Sequence, residues 1–316
     1  MGQEIRNGNG AANGHGGYGG GPTPEMPEGW GVNNGTGVLK DVLLGKPDHF
    51  GWRPISHIAK RTFANLEQFG IRFDAQLAQK QHREMVEIYE HCGVRVHFLE
   101  ADEGLPCSVY ARDSSAMTPW GALVCSIQTP YRRRDYAVVQ EFYRKAGIPI
   151  WNWATAGHFE GGDFDILEPG VVLMGYCGER SEEEGARQVA KWVEKEGWEA
   201  YTAPIPAAFV HMDALVVMVA PKTAVVCSEA LEDYVIDFLK AKQIKFIDVS
   251  YHDCVRLGCN VVALGKDRIL SMASNKTLNE RLKAMGFEVF APDVSMFQYG
   301  GGGVHCMSHE LRRDPA

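Results

Sequence analysis

The chain has 316 residues, 45% hydrophobic and 23% charged, the balance of a soluble protein long enough to bury a large core. With 40 acidic against 32 basic residues the net charge is −8, and no basic run interleaves with aromatics, which argues against a nucleic-acid partner. Eight cysteines lack C-x-x-C spacing, and no N-terminal apolar signal or membrane-length apolar run is seen; Arg6 stands where a myristoylation signal wants Ser or Thr. These features together predict a cytoplasmic protein with free thiols and no membrane partner.

In chain order, residues 1–29 are rich in Gly, Asn and Pro without apolar periodicity, so a flexible tail is expected ahead of a single catalytic domain over 30–316. Helices are predicted over 75–92, 134–146, 182–196, 229–242 and 275–285. Each ends at a break (Gly93, Gly147, Gly197, Gln243, Gly286) followed by an apolar strand, and four of the five breaks carry the glycine expected just past a helix. Ser181 and Glu184 have the spacing of a capping box for the third helix.

Ahead of each helix the pattern predicts a strand pair, in 37–45, 108–125, 163–175, 214–227 and 260–272. In the last four, Pro-Trp-Gly, Glu-Pro-Gly, Ala-Pro-Lys and Gly-Lys-Asp separate the strands. The breaks recur every 43 to 54 residues, so one strand-strand-helix-strand unit occurs five times. Such a unit buries its apolar face only against neighbours. With no polar capping repeat, the expected fold is α/β: a closed ring of five ββαβ modules, helices outside and first strands at the axis.

Polar residues cluster at the mouths of these apolar strands. They are Arg112-Asp113 in the second module, His158, Glu160 and Asp163 in "HFEGGDF" of the third, and His211 and Asp213 in "HMD" of the fourth; His305-Cys306 follows the glycine run 300–303. Carboxylates at an axis suit a guanidinium, a planar cation with five donors in a fixed fork. A thiolate could then attack its central carbon while an imidazole protonates the departing nitrogen and later activates water. The glycine run implies close backbone approach to a bound group.

The ordered set Arg-Asp, Glu-Gly-Gly-Asp, His-x-Asp and Gly-Gly-Gly-x-x-Cys resembles the pentein guanidino-group-modifying superfamily from about residue 36 to the end. That superfamily comprises arginine deiminases, dimethylarginine dimethylaminohydrolases and amidinotransferases. The resemblance implies a five-bladed α/β propeller with Cys306 as nucleophile on the Gly301–Gly303 loop and His211 as general acid/base. It makes Glu160 the carboxylate that orients His211 and contacts the guanidinium, with Asp113 and Asp213 gripping the substituted guanidino nitrogens. Arg180 and Arg132 match arginines that hold a substrate α-carboxylate, although Arg133 and Arg134 compete for the second assignment. A covalent amidino-thioether giving a ureido product plus ammonia or alkylamine is implied, with no metal and no organic cofactor.

Cys107 stands six residues before Asp113, where many relatives place Asn or Asp, which leaves the identity of the guanidine open. Glu160-Gly161-Gly162-Asp163 favours hydrolysis; His305 before the cysteine keeps an amidinotransferase as the alternative. From another class, a ring-shaped binder of a cationic ligand would use Cys306 only for packing. A transition-metal site from His305, Cys306 and His309 is poor, because sequential neighbours point apart. Whether the chain forms a homo-oligomer is not legible.

Overall fold

A computed structural model describes residues 29–53 and 57–315; the tail expected over 1–29 lies almost wholly outside them. The first strand is β1 (Leu39–Gly45), followed by α1 (His57–Gln68), α2 (Ala75–His91) and β2 (Arg95–Leu99). Then come β3 (Ser115–Thr118), β4 (Gly121–Val124), α3 (Asp135–Ala146), β5 (Ile150–Trp153), β6 (Phe164–Glu168), β7 (Val171–Tyr176), α4 (Glu183–Lys195) and β8 (Glu199–Pro204). The chain continues through β9 (Val216–Ala220), β10 (Thr223–Val226), α5 (Asp233–Ala241), β11 (Lys245–Asp248), α6 (Tyr251–Cys254), β12 (Val262–Gly265), β13 (Arg268–Leu270), α7 (Lys276–Ala284) and β14 (Glu288–Phe290). It ends in α8 (Ser295–Gly300), α9 (Val304–Met307) and β15 (Ser308–Arg313).

All five predicted helices are present. The break after each takes a left-handed backbone, with φ of 77°, 69°, 83° and 97° at Gly93, Gly147, Gly197 and Gly286. Gln243 adopts φ 60° at the one break without glycine, so the turn is kept and the side chain tolerates it. The capping box does not form. Helix α4 starts after Glu182 without a side-chain cap, because the Ser181 hydroxyl accepts the backbone N–H of Glu160 at 3.0 Å instead.

Five three-stranded sheets result, four of them built alike. In β3-β4-β5, β6-β7-β8, β9-β10-β11 and β12-β13-β14, the middle strand is antiparallel to the first and parallel to the third. The fifth sheet corrects the expected pair within 37–45. That stretch is the single strand β1, which pairs antiparallel with the C-terminal β15 and parallel with β2. The two ends of the chain thus complete one module together. Buried Asp41 ties it, accepting from Arg95 at 2.8 Å and lying 2.9 Å from His97 Nε2 and 2.7 Å from Arg312 Nε.

Burial falls from the first strand of each sheet, almost wholly buried, to the third, largely half-buried or exposed. Neighbouring sheets touch in a closed circuit: β15 meets β3, turn 111–114 meets turn 161–163, which meets turn 212–214, and β9 meets β12, which meets β1. Met117, Asp165, Met218, Ala263 and Glu310, one from the first strand of each sheet, line one cavity of about 40 Å³. The apolar core lies in three clusters centred on the sheets. Among the described residues no helix is long and apolar enough to cross a membrane.

Candidate active site

Short 3-10 turns lead into three of the first strands: Ala111–Ser114, Gly161–Asp163 and Met212–Ala214. Because these turns touch one another, and the first also touches α9, residues up to two hundred positions apart come together. Small residues make the approach feasible. A Cβ on Gly162 would lie 2.7 Å from Nδ1 of His211, and one on Gly302 would lie 2.5 Å from the Tyr110 ring. Of the glycines after α8, Gly301 takes a left-handed backbone at φ 108°, Gly302 packs against Tyr110 and Gly303 against Asn260.

One half of the site is a cluster around Glu160, which is fully buried. His211 Nε2 donates to Glu160 Oε2 at 2.8 Å, and Nδ1 lies 3.6 Å from Asp113 Oδ1. Arg180 forks onto the same carboxylate, Nε to Oε1 at 3.0 Å and Nη2 to Oε2 at 2.6 Å, with Nη2 also 3.5 Å from Asp113 Oδ2. Arg132 sits behind Asp113, buried; its guanidinium pairs with Asp113 and Asp135 and donates to the Tyr110 carbonyl at 3.0 Å. Asp113 Oδ1 remains buried without a hydrogen-bond partner among the described residues.

The electrostatics follow from this crowding. Burial by itself lowers the His211 pKa, but the Asp113 charge and the Glu160 hydrogen bond outweigh it and carry the imidazole up to about 9. Burial pushes the Glu160 carboxyl up, yet the Arg180 charge and the His211 hydrogen bond hold it well below the usual range. For Asp163 burial wins: it raises the carboxyl to about 6 against the His211 charge and its hydrogen bonds with Ser181 and, at 2.8 Å, the Met212 N–H.

The other half surrounds Cys306, which is partly exposed. Desolvation, then the charges of Asp213 and Asp113, push its thiol well up. Asp213 Oδ2 accepts from His305 Nδ1 at 2.8 Å; burial opposes its ionisation, but the His305 hydrogen bond and charge leave its pKa lowered. Asn260, absent from the expected set, reaches both neighbours: Oδ1 accepts the His305 backbone N–H at 2.8 Å, and Nδ2 contacts Cys306 Sγ at 3.1 Å.

The fold thus gathers Asp113, Glu160, His211 and Arg180 tightly, Arg132 behind them, and Asp213 beside Cys306. Other polar residues singled out at the strand mouths lie elsewhere. His158 pairs with Glu182 at 3.0 Å, and Arg112 donates to the Phe164 carbonyl at 3.1 Å and faces the axial cavity. His309 is buried with its Nε2 2.8 Å from the Tyr143 hydroxyl. Cys107 is buried, and that burial pushes its thiol up. Asp113, Glu160 and His211 could together offer ligand atoms to a cation, but Arg180 and Arg132 already hold both carboxylates.

Known proteins resemble the chain in sequence and in fold. The chain is 28% identical over 280 residues to the uncharacterised protein YkgA of Bacillus subtilis, covering 88% of this chain and 93% of that one. It is 26% identical over 241 residues to the N(G),N(G)-dimethylarginine dimethylaminohydrolase of Mycobacterium tuberculosis, covering 75% and 77%. The dimethylarginine dimethylaminohydrolase of Pseudomonas aeruginosa, solved as a mutant complexed with citrulline, superimposes with a TM-score of 0.72 at 19% identity, covering 86% of this chain and 99% of that one. The family model for eukaryotic N,N dimethylarginine dimethylhydrolase matches residues 46–313. On that match the chain belongs to the dimethylarginine dimethylhydrolase family, within the pentein superfamily.

Proposed function

We propose that the protein hydrolyses the guanidino group of arginine or an N-substituted arginine through a covalent intermediate on Cys306, giving a ureido product and ammonia or an alkylamine. The observation that carries this reading is the Glu160–Asp113 carboxylate pair. It already grips one guanidinium, that of Arg180, in a bidentate fork, and it leaves Asp113 Oδ1 as a buried acceptor without a donor. Family membership supports a hydrolase of C–N bonds in guanidino compounds. The cyclic contacts between sheets support five blades closed about a pseudo-fivefold axis in one domain over 30–316. Eight free cysteines support a reducing, cytoplasmic setting.

A substrate guanidinium entering between Asp113, Glu160 and Asp213 brings positive charge to the place where two aspartates hold the thiol protonated. Its arrival favours the thiolate, the thiol proton leaving to solvent. The sulfur attacks the guanidinium carbon, and His211, protonated at neutral pH, gives its proton to the leaving nitrogen as the C–N bond breaks. The amine departs, leaving the amidino-thioether. Neutral His211 then takes a proton from water, the hydroxide adds to the same carbon, and the C–S bond breaks as the added hydroxyl loses its proton to the departed amine or solvent, releasing the neutral ureido product and regenerating the thiolate. Glu160 holds the imidazole throughout. Arg180 is the residue placed to turn from Glu160 to a substrate carboxylate, while Arg132 acts through Asp113 by bracing it.

Mass spectrometry after incubation with arginine, N-methylated arginines and non-amino-acid guanidines tests the proposal. A ureido product with released ammonia or alkylamine, and a transient adduct mapped to Cys306, are expected. Transfer only when glycine or another amine is supplied would make it an amidinotransferase, and neither product nor adduct would return it to a guanidine binder.

A further inference from the structure

Asn260 lies at the mouth of the fifth module, fully buried, two residues before β12. The turn leading to it is fixed. Leu257 takes φ 67°, a left-handed backbone unusual for leucine, and its carbonyl accepts the Asn260 N–H at 3.0 Å. The side-chain amide can face only one way. A backbone N–H donates and never accepts, so the oxygen of Asn260 must meet His305 N–H, and its NH2 must then meet Cys306 Sγ at 3.1 Å.

We infer that Asn260 is the positioning residue of the nucleophile: its amide donates to the Cys306 sulfur, favouring the thiolate, while its carbonyl pins the backbone that carries the cysteine. The inference rests on Cys306 being the nucleophile. Around the sulfur the charged groups are Asp213 from turn 212–214 and Asp113 from turn 111–114, both opposing ionisation; the donors opposing them are the Asn260 amide and the Gly303 backbone N–H. Tyr110 packs on the adjacent Gly302 but gives its hydroxyl proton to the Phe297 carbonyl at 2.9 Å. Asn260 is therefore the one side chain among these that stabilises negative sulfur. It is held there by the neighbour of the cysteine it serves.

Asn260→Asp keeps an acceptor for His305 N–H and places a carboxylate oxygen against the sulfur. A purely structural role tolerates this nearly isosteric change, whereas a thiolate-stabilising role does not. Two substrate-free readouts separate them: the pH dependence of iodoacetamide alkylation, counted on the Cys306 peptide, and the ultraviolet thiolate absorbance relative to a Cys306→Ser control. A rise of one pH unit in the thiol midpoint, read below the midpoint as about tenfold slower alkylation and tenfold less thiolate, is expected. On any turned-over guanidine, kcat falls at least tenfold with KM within about threefold.

Unchanged alkylation and absorbance profiles would overturn the inference even if turnover were lost. Should the aspartate variant not fold, Asn260→Ala carries the same test with the same expected direction. Because neither readout needs a substrate, an inert guanidine panel beside a shifted thiol midpoint would sink the proposed hydrolysis and leave the role of Asn260 standing.

Discussion

His211 offers a test of the site that needs no substrate. Its imidazole is buried between Glu160 and Asp113 and titrates at about 9, against about 6.5 for an ordinary histidine. Between those values the folded protein binds a proton that the unfolded chain has lost, so stability falls as pH rises through this window. The contribution is fully present below about pH 6.5, is lost as pH passes about 9, and amounts to about 3 kcal/mol. For a chain of this size that corresponds to a melting temperature roughly 4 to 5 °C lower. Asp163, raised to about 6, still titrates at the acid edge of the window, but it is present in wild type and variant alike. Buried thiols such as Cys125 titrate above it and are shared by wild type and variant. Chemical denaturation of wild type and His211→Asn from about pH 6 to 10, under reductant, isolates the term. The wild type should exceed the variant by about 3 kcal/mol at the acid end, and the two curves should converge beyond pH 9. Parallel curves across the window would show that His211 is not held as a cation by its carboxylates.

Gly162→Ala places a methyl 2.7 Å from the His211 ring, so the imidazole must move; kcat/KM should fall about 100-fold, with circular dichroism unchanged. Gln243→Gly relieves a left-handed backbone at the only break without glycine. It should raise stability by up to about 1 kcal/mol without altering turnover, measured by denaturant midpoint. Asp41→Ala removes the buried acceptor on β1 shared by Arg95 and His97 of β2 and Arg312 of β15 and should cost about 2 kcal/mol near neutral pH. The Asp41 pKa is lowered in the folded state, against burial and by the His97 and Arg95 hydrogen bonds, so this contribution should vanish as pH falls through the carboxylate range; equal loss at low and neutral pH would refute it.

The helices and their breaks were legible because their signals are local: an apolar stripe ending at a residue that can take positive φ. Gln243 shows that the backbone demand persists even where the residue type that advertises it is missing. What local patterns do not carry is partner choice. Nothing within 37–45 tells β1 that its antiparallel neighbour lies some 270 residues away in β15, and the stretch reads as its own pair until the closed circuit supplies the other strand. Ser181 failed as a cap for a related reason. Its hydroxyl accepts the backbone N–H of Glu160, inside the site, and the start of α4 is left without a side-chain cap.

Most of the candidate site was legible because charged and nucleophilic residues stand out at the mouths of apolar strands. Asp113, Glu160, His211 and Arg180 converge as that pattern requires, and the mouths of modules two, three and four supply all but Arg180, which follows β7. Asn260 escaped because an uncharged amide between a cysteine and a valine carries no such contrast. The same positional rule, applied to module five, points directly to it, since it precedes β12 as Asp113 precedes β3. The repeat is therefore a stronger guide than residue type. Each module delivers at least one polar side chain to the centre, and the module whose delegate looks least like a catalyst provides the one that touches the sulfur.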